Sequence, residues 1–277
     1  MVIIIISFVV QILVEMIPVS SSGTVTLMQS LGNLFFDGDF EKNFSKYYGD
    51  IVQWPTVFVL GIYFFPLWSE YLKQCFSELS ASLQKKRLDF PKSSAFFLVF
   101  CIIVADCVTA GLYMILSYIG VAWWPLWLGF ACTTVIVWCT SYIGKRYEQE
   151  NQWTISKALI LGFSQGFALL PGVSRLGTTF FVARLLGFSA KKAFEYSFLL
   201  EWPLIVAAGM RGLWHALDVD SAIMGQLLSC PFLFSTLSAT IVSYGILRWS
   251  ALLSQKKEWR YCAVYTALCS IIAWWVL

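Results

Sequence analysis

Charged side chains are scarce in this sequence. Only 13% of its 277 residues are Asp, Glu, Lys or Arg, whereas a soluble domain carries about a quarter. Hydrophobic residues make up 58% of the chain, and the mean hydropathy is +0.72. Too little polar surface is available to cover a water-facing globule, so the composition predicts an integral membrane protein. The small net charge of +3 does not indicate nucleic-acid binding.

Histidine and closely paired cysteines are also rare or missing. The single histidine, His215, falls at the outer end of a predicted span, and we interpret it as an interfacial residue. None of the eight cysteines forms a CxxC motif, which argues against metal or disulfide use. The first ten residues lack a basic segment and a small-residue cleavage site, so we expect them to belong to the fold.

Long hydrophobic runs, in contrast, are abundant. Six are long enough to cross a bilayer of about 30 Å. They lie near 51–68, 94–117, 121–143, 194–213, 222–247 and 260–277. Two further apolar regions, 1–36 and 155–188, are each broken near the middle by a turn rich in proline, serine and glycine.

The distribution of basic residues predicts the orientation. Lys and Arg cluster within 69–93, 145–157, 191–192 and 248–260, while the intervening loops are acidic or uncharged. If the six runs cross, every basic loop falls on the cytoplasmic side. Each broken region then enters and leaves on one side, the first from outside and the second from the cytoplasm.

The two halves of the chain resemble each other. The segment "QILVEMIPVSSSGT" from Gln11 is similar to "QGFALLPGVSRLGT" from Gln165, and each precedes three predicted spans. An odd number of spans inverts the second copy, as in transporters whose interrupted helices meet at the bilayer midplane. We therefore predict an all-α integral membrane protein forming one domain. Its inverted repeats, about 1–143 and 155–277, each contain a re-entrant helical hairpin and three transmembrane helices.

The two broken turns carry groups that bind anions. A helix that begins inside the membrane presents free backbone N–H groups and its positive dipole end, which attract phosphates. Arg175 adds a planar, permanently charged guanidinium. An arginine at this depth needs a partner, and Glu15 is the nearest counterpart in the first turn. A simple bracing pair is the alternative, but it leaves the serines and glycines of both turns unexplained.

These motifs resemble those of the undecaprenyl-diphosphate phosphatase family, the bacitracin-resistance proteins. "LVEMIPVSSSG" is similar to the family signature (E/Q)GLTEFLPVSS(S/T)GH. "GFALLPGVSRLGTTFFVARLLGFSAKKAFEYSFLLEWP" is similar to the second family box, typically ALIPGTSRSGAT followed by LLGLSR and EFSFLLAIP. The two boxes cover about 60 residues, and the span pattern extends the match across the chain.

The resemblance implies a bacterial cytoplasmic-membrane enzyme that converts undecaprenyl diphosphate to the monophosphate and inorganic phosphate. Its site would open outward and use Mg²⁺ or Ca²⁺, with Glu15 as a metal ligand. Glu15, Ser21 and Arg175 would be catalytic, with Ser21 as the nucleophile or a phosphate contact. The residues that would bind substrate are Gln11, Ser20, Ser22, Gly23, Thr24, Ser174, Gly177 and Thr178. The lipid is the expected partner, and the oligomeric state stays open, a homodimer included.

The sequence departs from the family pattern at several positions. Thr24 stands where the family has histidine, so Glu15 or a metal-bound hydroxide would have to manage the proton. Glu201 and Trp202 replace a small apolar pair. Glu201 is therefore either a helper of the site or a helix-terminal residue near the polar boundary. A catalytically impaired relative that moves polyprenyl-phosphate lipids across the membrane is the alternative function.

Overall fold

The fold is helical throughout the part of the chain that the structure describes. The structure is a computed structural model, and it describes residues 2–35, 48–84, 94–143, 152–219, 229–256 and 258–277. No strand occurs in these ranges. The predicted all-α class is therefore confirmed for them, while much of the acidic 37–50 segment and of the basic 69–93 and 145–157 segments lies outside the described residues.

The first half of the chain contains six helices among the described residues. They are α1 (Val2–Val14), α2 (Ser21–Phe35), the short α3 (Tyr48–Ile51), α4 (Gln53–Gln84), α5 (Ala95–Ile119) and α6 (Leu126–Thr140). The second half continues with α7 (Ile155–Phe167), α8 (Arg175–Leu185), α9 (Ala190–Val219), α10 (Cys230–Lys256) and α11 (Arg260–Val276). Both predicted breaks are present, since α1 and α2 are separate helices and so are α7 and α8.

Three helices are long and apolar enough to cross a membrane, which agrees with a membrane protein. They are Gly49–Ser80, Ala95–Ile119 and Cys230–Lys256. The predicted span at 194–213 lies within α9, a helix of 30 residues that also carries ionisable side chains. The predicted spans at 121–143 and 260–277 correspond to the shorter apolar helices Leu126–Thr140 and Arg260–Val276.

The predicted limits of two spans are wrong. The run 121–143 is helical only at Leu126–Thr140, because Gly120 ends α5 with a φ of 78° and Pro125 occupies the N-cap of α6. At 1.5 Å per residue these 15 residues span only about 22 Å. The run 51–68, in turn, continues as α4 to Gln84 and includes Pro66 inside the helix.

The first helix of each half packs against a later helix of the other half. α1 packs against α10, and α7 packs against α5. α6 and α11 lie side by side, as do α4 and α9, which contain Pro66 and Pro203 respectively. The main hydrophobic core lies between these elements, with Phe64, Phe180 and Phe198 among its buried rings. Large apolar side chains on the outer helices stay exposed, as expected of a surface that faces lipid.

Candidate active site

Two helices begin at the two broken turns. Ser20 precedes α2, and its Oγ accepts a hydrogen bond of 3.2 Å from the backbone N–H of Gly23. Ser174 precedes α8, and its Oγ accepts one of 3.1 Å from the N–H of Gly177. A serine at this position satisfies one of the free amides of a helix start, so the two turns share one capping chemistry. The remaining free amides stay available to a ligand.

The two turns touch each other directly. A Cβ built on Gly23 would lie 2.9 Å from Cα of Gly172 and 2.9 Å from Oγ of Ser20. Gly172 has a φ of 82°, a conformation that side chains other than glycine rarely adopt. Glycine at both positions therefore allows the backbones of the two hairpins to meet.

The second turn is anchored by α6 and the segment before it. Thr133 Oγ1 donates a 2.9 Å hydrogen bond to the carbonyl of Gly172 and accepts one of 2.9 Å from the N–H of Ser174. Trp124 Nε1 donates to the carbonyl of Pro171 at 3.2 Å. These bonds satisfy irregular backbone in an apolar setting, where an unpaired amide or carbonyl is costly.

Arg175, the first residue of α8, lies between two glutamates. Its Nη2 is 3.7 Å from Glu15 Oε1, and its Nε is 3.3 Å from Glu201 Oε1. Both glutamate side chains are only 3% exposed, while the Arg175 side chain is 25% exposed. The expected proximity of Glu15 and Arg175 is thus present, and a second carboxylate joins them.

One oxygen of each glutamate lacks a hydrogen bond. Thr56 Oγ1 on α4 donates a 3.1 Å bond to Glu15 Oε2. Glu15 Oε1 and Glu201 Oε2 are buried and have no hydrogen-bond partner among the described residues. Two ionised carboxylates and one guanidinium leave an excess negative charge in a site that is shielded from water, which is unfavourable without a further positive group.

A small cavity joins these charges to the serine turn. It encloses about 40 Å³, which is enough for an ion or a water. Its lining consists of Glu15, Val19, Ser20, Ser21, Ser22, Ala168, Val173, Arg175, Leu176 and Glu201. Ser22 is exposed and Ser21 is half-buried, so the cavity opens on the serine side.

The lining does not include Gln11, Thr24 or Thr178, which were also predicted to bind substrate. Gln11 is buried one turn before Glu15, whose N–H donates to the Gln11 carbonyl at 3.1 Å. Thr24 Oγ1 donates to the Ser20 carbonyl at 2.8 Å and lies 3.3 Å from the hydroxyl of Tyr265. Thr178 is buried, and its Oγ1 has no hydrogen-bond partner in the described part of the chain.

The donor set fits a divalent cation whose remaining ligands are waters or phosphate oxygens. No group of three or more His, Cys, Asp or Glu side chains that could hold a metal occurs among the described residues. Mg²⁺, however, is usually held by one or two carboxylates, waters and substrate phosphates. Glu15 Oε1 and Glu201 Oε2, which are buried beside the hydroxyls of the first turn without a hydrogen bond from a described residue, match that description, although Glu15 Oε1 also faces Arg175 at 3.7 Å.

A larger cavity lies away from these residues. It measures about 280 Å³ and is lined in part by Thr140, Ser141, Arg184, Lys191 and Ser254. The hydroxyls of Thr140, Ser141 and Ser254 each donate to a carbonyl of the preceding helical turn, which occupies their protons. The carboxylates and the two serine-containing turns therefore meet at the smaller cavity.

Two features of the site differ from the sequence interpretation. The sequence does not indicate Thr56 as a partner of Glu15, because a threonine in an apolar helix carries no distinguishing signal. The alternative that Glu201 is a helix-terminal residue is wrong, since it lies in the interior of α9 with its side chain against Arg175. Its position in an otherwise apolar run was the available signal.

Comparison with known proteins identifies the family. Residues 4–272 match the family described as bacitracin resistance protein BacA. The chain is 27% identical over 249 residues to an undecaprenyl-diphosphatase of Mycolicibacterium smegmatis, covering 87% of this chain and 83% of that protein. It is 25% identical over 273 residues to undecaprenyl-diphosphatase 1 of Shouchella clausii, covering 95% and 91%. The predicted family is confirmed: this chain belongs to the bacitracin resistance protein BacA family.

Proposed function

We propose that this chain hydrolyses undecaprenyl diphosphate to undecaprenyl phosphate and inorganic phosphate. The family membership and the names of its relatives support this activity. The observation that carries it is the Arg175 guanidinium, held between two buried carboxylates where two helices begin. In a bacterial cytoplasmic membrane this reaction would recycle the lipid carrier of peptidoglycan synthesis and confer resistance to bacitracin.

The proposal includes an inverted arrangement of the two halves. Each half, about 1–143 and 155–277, would form one hairpin that returns to its own face of the membrane, followed by three crossing helices. The exchanged packing of α1 on α10 and α7 on α5 supports this symmetry, as does the meeting of the two turns. The distribution of basic residues supports a first hairpin that enters from the outer side, and the family resemblance implies a site that opens there.

Substrate binding follows from the charges and the free amides. The diphosphate would lie at the open side of the cavity, with the polyprenyl tail between helices or in the surrounding lipid. Arg175 would contact the phosphate oxygens, since a guanidinium matches their geometry. The first amides of α2 and α8 and the hydroxyls of Ser20 and Ser22 would donate to the same oxygens.

The chemical step needs an attacking oxygen and a proton acceptor. Ser21 is the first residue of α2 and lines the cavity with Glu15. Its Oγ would attack the terminal phosphorus in line, the second lone pair of Glu15 Oε2 would take the hydroxyl proton, and the bond to the bridging oxygen would break. Undecaprenyl phosphate leaves, and water then cleaves the phosphoserine to give inorganic phosphate and regenerate Ser21. Such transfers depend mainly on positioning and charge stabilisation.

A divalent cation is part of this proposal. Neutralising the phosphate oxygens is the chemistry that Mg²⁺ or Ca²⁺ would supply when bound. Glu15 would hold it through Oε1, which has no hydrogen bond among the described residues and lies 3.7 Å from Arg175 Nη2. Thr56 would keep the other oxygen of Glu15 in place through its 3.1 Å bond.

The test is phosphate release by the purified protein in nanodiscs containing undecaprenyl diphosphate. We expect inorganic phosphate to accumulate with Mg²⁺ or Ca²⁺ and to stop after chelation. The same nanodiscs without protein correct for spontaneous hydrolysis. An absence of phosphate release from folded, monodisperse protein at every divalent cation tested would refute the proposal.

A further inference from the structure

We propose that Glu201 is a second carboxylate ligand of the divalent cation at this site, an inference that rests on the proposed function. Glu201 lies inside α9, more than twenty residues beyond the second turn in sequence. Its side chain is 3% exposed and lines the same cavity as Glu15 and the serines. One of its oxygens faces Arg175, and the other, Oε2, is buried without a hydrogen bond in the described part of the chain.

The ion pair with Arg175 involves only Oε1 of Glu201 and leaves Oε2 without a partner in the described ranges. Arg175 already has Glu15 within 3.7 Å, so one guanidinium faces two acidic groups. A buried carboxylate that stays ionised is paired and hydrogen-bonded or coordinates a metal. Glu201 Oε2 has neither a hydrogen bond nor contact with open solvent, so its negative charge lacks a partner among the described residues.

The charge of the site favours the same assignment. If both glutamates are ionised, they and Arg175 give a net charge of −1, which would repel a diphosphate. A divalent cation held by Glu15 Oε1 and Glu201 Oε2 changes that net charge to +1, which attracts the diphosphate. The cavity of about 40 Å³ accommodates one such ion, and two carboxylates completed by phosphate oxygens and water form a normal magnesium environment.

The sequence adds an independent indication. The motif that this chain resembles carries a small apolar residue where Glu201 stands, and either Glu or Gln where Gln11 stands. In this chain the α1 position is the amide Gln11, and the α9 position is the carboxylate Glu201. Glu201 thus adds a carboxylate to the cavity lining at a position where the motif has none.

The experiment measures cation binding directly, without substrate. Mn²⁺ is the probe, and electron paramagnetic resonance of the full-length protein in detergent separates free from bound ion. The variant is Glu201→Gln, which keeps the shape of the side chain and removes its charge. The matched control is Glu195→Gln on the same helix, whose carboxylate pairs with Lys192 at 2.9 Å and not with Arg175.

We expect Glu201→Gln to raise the dissociation constant for Mn²⁺ by at least about tenfold, and the control to change it by less than about twofold. Glu201→Asp, which retains a carboxylate, should bind more tightly than the Gln variant and provides the comparison if that variant does not fold. Unchanged Mn²⁺ affinity in Glu201→Gln, even with a loss of activity, would mean that Glu201 only positions Arg175 and would overturn the assignment.

The outcomes also separate this inference from the proposed function. If the wild-type protein releases phosphate but Mn²⁺ binding is independent of Glu201, the ligand assignment is wrong and the activity stands. If Mn²⁺ binding depends on Glu201 but no phosphate is released, the proposed activity is wrong and the cation site stands. A wild-type protein that binds no Mn²⁺ contradicts the assignment outright.

Discussion

Replacing Arg175 by glutamine tests the charge arrangement of the site. The substitution leaves Glu15 and Glu201, each 3% exposed, without the guanidinium that both contact. It also removes the side chain that would stabilise negative charge on the transferring phosphoryl group. Arginines in this role contribute about 10³-fold to 10⁵-fold in rate. We expect kcat/KM for phosphate release to fall by at least about 10³-fold, equivalent to about 4 kcal/mol.

Stability should fall in the same variant. Removing one partner of a buried ion pair typically costs about 3–5 kcal/mol, because the remaining charge stays buried. The double variant Arg175→Gln with Glu201→Gln removes one acidic and one basic group and restores the net charge of the wild-type site. We expect it to regain thermal stability without regaining activity.

The assay is release of inorganic phosphate from undecaprenyl diphosphate in nanodiscs, with thermal unfolding measured on the same preparations. Size-exclusion chromatography establishes that each variant is monodisperse. Activity of Arg175→Gln within about tenfold of wild type would refute the reasoning. So would recovery of activity in the double variant, because it would show that Arg175 serves only to neutralise the glutamates.

Four further predictions concern neighbouring features. Ser21→Ala should lower kcat by at least about 10³-fold in the phosphate-release assay, as expected when a nucleophile is removed. Gly23→Ala should destabilise the protein by about 1–3 kcal/mol in thermal unfolding, because the added Cβ would lie 2.9 Å from the backbone of the second turn. Thr56→Val should cost about 1.5–3 kcal/mol of stability and reduce phosphate release, since Glu15 loses its 3.1 Å hydrogen bond. Chelation should abolish phosphate release reversibly, and added Mg²⁺ should restore it.

Each of these predictions has a contradicting result. A Ser21→Ala variant with near wild-type kcat would assign the attack to water. An unchanged unfolding temperature in Gly23→Ala would mean that the two turns do not meet as described. Full stability and activity in Thr56→Val would remove any role for its hydroxyl, and activity that survives chelation would exclude a required cation.

The most informative positions in the sequence are the turn-forming and charged residues inside apolar runs. Proline, serine and glycine inside apolar runs predicted where α1 and α7 end, because these residues punctuate helices and cap the next one. An arginine and a glutamate in those apolar regions predicted an ion pair, because neither is tolerated there alone. The structure places Glu15 3.7 Å from Arg175 accordingly.

Other features could not be deduced from one sequence. Hydropathy locates apolar runs but not helix ends, so it includes the non-helical turn between Gly120 and Pro125 in a predicted span. The contact of Glu201 with Arg175 depends on how α9 rotates against α8, which packing determines and periodicity does not. The same holds for Thr56, whose hydrogen bond to Glu15 joins helices far apart in sequence.

The most direct test of the headgroup site is an experimental structure with a non-hydrolysable methylene-diphosphonate analogue of the lipid. Phosphonate density between the first turns of α2 and α8, within hydrogen-bonding distance of Arg175 and the serine turn, is the predicted result. Density at any other place, with the space beside Arg175 filled by acyl chains, would contradict the account.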